Sequence, residues 1–393
     1  MIQRNLKILK WDNFFAGLWP LSTLVIIYFQ QITGSYATAM AVFSISSLTT
    51  TVMEIPTGIV SDKIGRRKTL ISAAICVFTC FLLWALAGQF SQIWMLFLGA
   101  LCWGISGAIV SGTDEALIYE TMEELDRVNE FDIIYSKSRG WNQIGLAISA
   151  LSATIITYFF SLQVLAWISL FPVLGQIVTS WLYVEPQRTK KYYHKTTIKH
   201  FLIAFRRLLR NRKLKFYATI EMIDTAVGFS SFRFESAYYE TLIATWAINL
   251  ARFLKQICGT ISFFIIPFVK KFGSIRLFFA SMIGTTFVKL TGLILNNALT
   301  PFIMSLNNLF FGTGSTAGAN IFQKEFSSSQ RATMKSIISF GTGILMAFAL
   351  YMFGILADSA TPRFAMFMAV LIKIILLIVS LGILNKAKKK PNI

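Results

Sequence analysis

The residues Gly58-Ile59-Val60-Ser61-Asp62-Lys63-Ile64-Gly65-Arg66-Arg67-Lys68 decide how the chain is read. They lie between two long apolar segments. Asp62 and the four cations Lys63, Arg66, Arg67 and Lys68 fall within seven residues. Such a run is too polar for hydrocarbon and short enough for a tight loop on one membrane face. Elsewhere the apolar residues come in blocks of about twenty, the length a helix needs to cross a bilayer. Of the 393 residues 55% are hydrophobic and only 14% charged, whereas soluble domains are about a quarter charged. The blocks therefore read as transmembrane helices, not as a soluble core.

Twelve spans are expected, at 12–32, 36–60, 69–87, 90–115, 138–160, 162–183, 216–234, 244–269, 274–295, 299–321, 333–356 and 364–384. The basic start is followed by Trp11, Asp12 and Asn13 without a cleavage-type site, so the first span reads as retained. Lys and Arg collect in the N-terminal tail, after every even span and in the C-terminal tail, with Arg363 the clear exception. The positive-inside rule then places both termini in the cytoplasm. The net charge of +19 is thus a topology signal and not a nucleic-acid footprint. The four cysteines, Cys76, Cys80, Cys102 and Cys258, sit in apolar segments without metal-ligand spacing and read as packing residues.

The chain divides into a six-span bundle at 1–184, a linker at 185–215 and a second six-span bundle at 216–393. From Arg188 to Lys215 the linker has eleven Lys or Arg and no acid. Its apolar residues recur at helical spacing, which predicts a basic amphipathic helix on the inner membrane surface, with anionic lipid as a partner. His194 and His200 lie here without companion ligands. A shift of 208 residues places Gly65 on Gly273, Lys63 on Lys271, Lys68 on Arg276 and Gly104 on Gly312. The halves read as repeats related by an axis along the membrane normal. The second copy of the loop has lost its acid, since Asp62 falls on Lys270.

The loop closely resembles the signature between helices 2 and 3 of the major facilitator superfamily of secondary transporters. The preceding Glu54-Ile55-Pro56-Thr57 extends the likeness to a bacterial branch of drug or metabolite transporters. The resemblance implies an all-α integral membrane protein of twelve helices in two pseudo-symmetric bundles, in a bacterial cytoplasmic membrane. It also implies that the loop helps latch the bundles on the cytoplasmic side. An acid ending span 2 can pair with the facing bundle in one state and release it in the other. Asp62 and Arg66 are the gating residues so implied. Two family features are missing. Ala100 stands where an arginine precedes Gly104, and Gly140-Trp141-Asn142-Gln143-Ile144-Gly145 has no proline. Both absences weigh against drug–proton antiport.

Other polar residues in the spans are functional candidates because charge in hydrocarbon is costly. Glu54, Asp114, Glu115 and Arg139 are expected to form a network on the cytoplasmic side. Glu221 and Asp224 share one face of span 7, and Arg252 and Lys255 one face of span 8. Counting about 1.5 Å per residue puts Asp224 opposite Lys255 near mid-membrane. Asp224 and Glu221 are the proton-coupling candidates; Arg252 and Lys255, with Gln31, Asn142, Asn307 and Asn308, are the substrate-binding ones. Arg233 and Glu235 lie nearer the outside as weaker candidates, and Lys289 and Lys373 face either the cavity or lipid. No nucleotide-binding loop, nucleophile or metal constellation stands out, so an enzyme, a cofactor and a metal site are not expected. The first reading is a monomeric, proton-coupled transporter exporting amphipathic small molecules or drugs by alternating access. The alternative is proton-coupled uptake of an anionic small molecule, such as a carboxylate metabolite or a metal chelate (siderophore).

Overall fold

The computed structural model describes residues 2–187, 212–325 and 328–388. The expected linker helix and both histidines lie outside the described residues. Every regular element among those described is helical. They are α1 (Arg4–Gly17), α2 (Val25–Thr33), α3 (Tyr36–Ile64), α4 (Arg66–Phe90), α5 (Ile93–Glu124), α6 (Phe131–Phe159), α7 (Leu162–Ile168) and α8 (Leu170–Leu182) in the first half. The second half has α9 (Arg212–Glu240), α10 (Thr245–Val269), α11 (Ser274–Leu295), α12 (Thr300–Ser305), α13 (Phe311–Glu325), α14 (Ser328–Ser359) and α15 (Pro362–Lys388). Joined across their interruptions, they make the twelve-helix arrangement that the sequence implied.

The first span is not continuous. It begins earlier than expected, at Arg4, and breaks at Leu18 and Trp19 before a 3-10 turn at Pro20–Thr23. Pro20 has no amide hydrogen and disfavours helix in the residue before it. Trp19 accordingly has φ −127° and ψ 87°. The hydroxyl of Ser169 accepts the Leu21 amide at 3.1 Å and so satisfies one backbone group at the break. A second interruption lies inside α5, where Ser111 (ψ 104°) and Gly112 (φ 85°) leave the helix. Eight stretches among the described residues are long and apolar enough to cross a membrane. α9 is not one of them, because Glu221, Asp224, Arg233 and Glu235 fall within it.

The repeat is visible in the backbone. Gly65 has φ 102° and ψ 153°, and Gly273 has φ 84° and ψ 145°. This region is essentially restricted to glycine, and each glycine starts the third crossing of its half. The chain packs as two units, Met1–His194 with Ala244–Phe253, and Lys195–Ile243 with Leu254–Ile393. The division is not at the linker alone, since the first part of α10 groups with the first unit. Inside that unit Trp19, Phe81, Trp84 and Trp103 stack with centroid separations of 4.8–6.1 Å. Ile8, Leu9, Leu70, Leu117, Ile118, Met122 and Tyr183 form its second cluster. Phe264 and Phe268 are 73% and 75% exposed, an arrangement suited to hydrocarbon and not to water.

Candidate functional site

The signature loop closes on its own unit. Arg66 pairs with Asp62 at 2.9 Å and with Glu120 at 3.1 Å, and it donates to the Ser61 hydroxyl at 2.9 Å. Glu185, just after α8, accepts the backbone amides of Arg66 and Arg67 at 2.7 and 2.8 Å. A carboxylate suits this position because the first amides of a helix have no partner within it. A Cβ on Gly65 would stand 2.8 Å from the Glu185 Oε1 atom. Arg67 donates to the Trp181 carbonyl and lies 5.7 Å over the Trp181 ring. The structure thus brings Asp62 and Arg66 together and adds Glu120 and Glu185. Glu120 lies outside the loop motif and Glu185 opens the linker at 185–215, so neither is marked by the motif itself.

The expected network of Glu54, Asp114, Glu115 and Arg139 is divided. Asp114 pairs with Arg139 at 2.9 Å and accepts from the Tyr135 hydroxyl at 3.3 Å. Glu54 instead accepts from the Ser111 hydroxyl at 3.3 Å, and Glu115 is exposed. Glu54 of α3 meets α5 at the kink, on Ser111, whereas Asp114 follows the kink and meets Tyr135 and Arg139 of α6.

The pairing in the second half also departs from the expected one. Lys255 pairs with Glu235, not with Asp224. Lys289 pairs with the other oxygen of Glu235 at 3.1 Å and donates to the Ser231 hydroxyl at 2.7 Å. The Lys255 ammonium lies 4.7 Å over the Phe232 ring. The side chains of Glu235, Lys255 and Lys289 are 0%, 3% and 8% exposed, so one carboxylate is shared by two ammonium groups away from water. Asp224 pairs with Lys373 of α15 at 2.9 Å, and the Glu221 carboxylate faces Gly318. The physical reason lies in helix length. α9 runs to Glu240, six residues past the expected limit of 234, so Glu235 lies inside the helix. It is the acid sequence reading undervalued.

The neutral candidates separate. Asn308 donates to the Lys255 carbonyl at 2.9 Å and so touches the cluster's own helix. Asn307 is buried nearby in sequence, and Arg252 is buried on the first part of α10. Asn142 instead donates to the Asn13 carbonyl at 3.0 Å, joining α6 to α1. Gln31 is exposed at the end of α2. Among the described residues there is no group of His, Cys, Asp and Glu fit to hold a metal.

A chain of repeated six-crossing halves, with ion pairs built inside its helices, is a polytopic membrane protein of the secondary-transporter class. Residues 13–253 match the profile of the Major Facilitator Superfamily, and the chain belongs to that family. It is 24% identical over 175 residues to the Na(+), Li(+), K(+)/H(+) antiporter of Planococcus maritimus. That match covers 44% of this chain and 40% of the relative. Among solved structures, the nucleoside transporter NupG superposes with a TM-score of 0.78 at 16% identity, covering 97% of this chain and 98% of that one. A D-xylose-proton symporter gives 0.71 at 13% identity, covering 94% and 96%. At these identities the likeness is one of fold.

Proposed function

We propose that this transporter couples proton movement to uptake of an anionic small molecule, with Glu235, Lys255 and Lys289 as the shared site. The observation that supports this reading is the single buried carboxylate held by two ammonium groups. With Glu235 ionised, both lysines are engaged. A proton on Glu235 ends both ion pairs and leaves two cations in an interior where unpaired charge is costly. An anion entering from water then supplies the missing charge, so proton and anion bind together. Lys255 and Asn308, which donates to the Lys255 carbonyl, are the residues closest to that role. Asp62, Arg66, Glu54, Asp114, Glu115 and Arg139 would serve gating at the basic end. We place the protein in a bacterial cytoplasmic membrane with both termini inside, and the basic linker against anionic lipid.

A second reading, export of amphipathic small molecules in exchange for protons, is favoured by Glu221. This carboxylate has no ion-pair partner among the described residues, and a cation or proton could occupy it. The antiporter relative points the same way. Flux into sealed proteoliposomes of known orientation, over a mixed pool of solutes read by mass with and without a proton gradient, separates the two. Anion accumulation down the proton gradient, weakened by Lys289→Met, is expected. Gradient-driven movement of lipophilic cations out of the cytoplasmic-side compartment would overturn uptake and make Glu221 and Asp224 the working acids.

A further inference from the structure

The two ion clusters of the second unit lie on one stripe of one helix. Glu221, Asp224, Gly228, Ser231 and Glu235 follow one another on α9 at steps of three and four residues, which keeps them on one face. Lys373 reaches this stripe from α15 and Lys289 from α11. The Lys373 ammonium is 2.9 Å from Asp224 and also 3.4 Å from where a Cβ on Gly228 would stand. Gly228 therefore leaves open the surface between Asp224 and Ser231. Ser231 is already the hydroxyl that holds Lys289 beside Glu235. From Gly228 to Ser231 is about 4.5 Å along the helix axis, within the sweep of a four-carbon lysine stem. The Glu235 side chain leans toward the helix N-terminus, and so toward Ser231.

We propose that Lys373 is a mobile positioning residue that transmits protonation of Asp224 to the Glu235 site; this rests on the reading of Glu235 as part of the transport site. A proton from water adds to the Asp224 carboxylate and ends its ion pair. The Lys373 ammonium then moves over Gly228 to Ser231 and Glu235 and displaces Lys289 from them. One proton has entered, one ammonium has been freed, and one monoanion restores the charge balance. The groups around Asp224 fit this step. Glu221 is its neighbour on α9, and Lys373 is its partner from α15. α14, which also packs on α9, carries Arg331 and Lys335 toward its start and Tyr351 and Asp358 toward its C-terminal end.

Infrared pH-difference spectra of the full chain in phosphatidylethanolamine–phosphatidylglycerol vesicles, without any solute, test the link. The spectra need no transport, so the outcome is independent of the flux experiment. The charge-balanced variant Glu235→Gln/Lys289→Met identifies the Glu235 carboxylate band, and Asp224→Asn identifies the Asp224 proton. In the parent protein both bands should change over the same pH interval. Lys373→Met should abolish the part of the Glu235 response that coincides with Asp224 protonation, while leaving Asp224 able to protonate. Gly228→Leu should do the same by filling the path, and Gly228→Ala, whose added carbon would meet Lys373 only at ordinary contact distance, should retain the response in part. A Glu235 band that never responds, or one that responds in Gly228→Leu and Lys373→Met as it does in the parent protein, would overturn the proposal. Proton-driven flux that survives in Lys373→Met would leave the transport reading standing and remove the switch.

Discussion

Removing the charge of Glu235 should cost far more stability than removing that of Lys289. In the intact cluster two ammonium groups and one carboxylate sum to one positive charge. Glu235→Gln raises this to two and removes the carboxylate that both lysines share, themselves 3% and 8% exposed. Loss of one partner from a buried pair costs about 3–5 kcal/mol, a factor of roughly 150 to 4,000 in the folded population at about 1.4 kcal/mol per decade. Lys289→Met instead leaves Lys255 and Glu235 as a neutral pair. It forfeits a hydrogen bond to Ser231 and the second ion pair, but it also removes a desolvated charge. These terms largely offset, and a net change within about 1 kcal/mol is expected.

The double variant Glu235→Gln/Lys289→Met returns the charge to one, and so should recover part of the loss. Neighbouring groups of this kind couple by about 0.5–3 kcal/mol. The assay is reversible unfolding in mixed micelles, titrated with denaturing detergent and followed by tryptophan fluorescence. Equal losses for Glu235→Gln and Lys289→Met would refute the charge accounting. So would a double variant whose loss equals the sum of the two.

Other outcomes are expected from the same geometry. Gly65→Ala and Gly273→Ala each force a side chain into a backbone region that costs about 1–3 kcal/mol; Gly65→Ala should lose more, since only there does the new carbon meet Glu185, and equal midpoints in the same titration would count against that cap. Asp62→Asn should shift stability by less than about 0.5 kcal/mol, because Asp62 is 54% exposed in its pair with Arg66. The same variant should slow exchange between inward and outward states in single-molecule distance measurements, and an unchanged rate would remove its gating role. Arg127 hydrogen-bonds Glu130 and holds its carboxyl below the usual glutamate range. A lowered folded value means this contact stabilises above the ordinary glutamate pKa and is lost as pH falls below it. Proteolysis of the 125–131 connection should therefore rise on acidification, and Glu130→Gln should abolish that acid limb.

The fold was legible because its signals are local and repeated. Blocks of apolar residues mark the crossings, the basic loop marks one end, and Gly65 and Gly273 recur at one spacing with one backbone conformation. What was not legible depends on helix continuity. Pro20 announces a kink, but only the packing of Ser169 against the Leu21 amide shows that the helix breaks and restarts. Nothing in the sequence shows that α5 leaves the helix at Ser111 and Gly112, the point where Glu54 meets it and beyond which Asp114 turns to Arg139. The charged residues of the second half were identified by type, and their pairing was misjudged. Hydropathy ends span 7 at 234 because Arg233, Glu235 and Glu240 cluster around that point. A helix that buries its charges against lysines from other helices needs no apolar block to continue.

That last point bears on where function sits. A helix rejected by apolar length alone, α9, is the one whose acids meet Lys255 of α10, Lys289 of α11 and Lys373 of α15. Its counterpart by repeat is the first crossing, which is interrupted at Pro20 and whose acid, Asp12, accepts from the hydroxyls of Thr179 and Tyr183. The two halves share an architecture and a loop glycine, while their first crossings have diverged in chemistry. Ionisable groups in hydrocarbon are retained only where they are paired or used. The acids of the two first crossings are met differently, by hydroxyls in the first half and by lysines in the second. The lysines that meet the acids of α9 come from α10, α11 and α15, so these charges tie four helices of the second unit together.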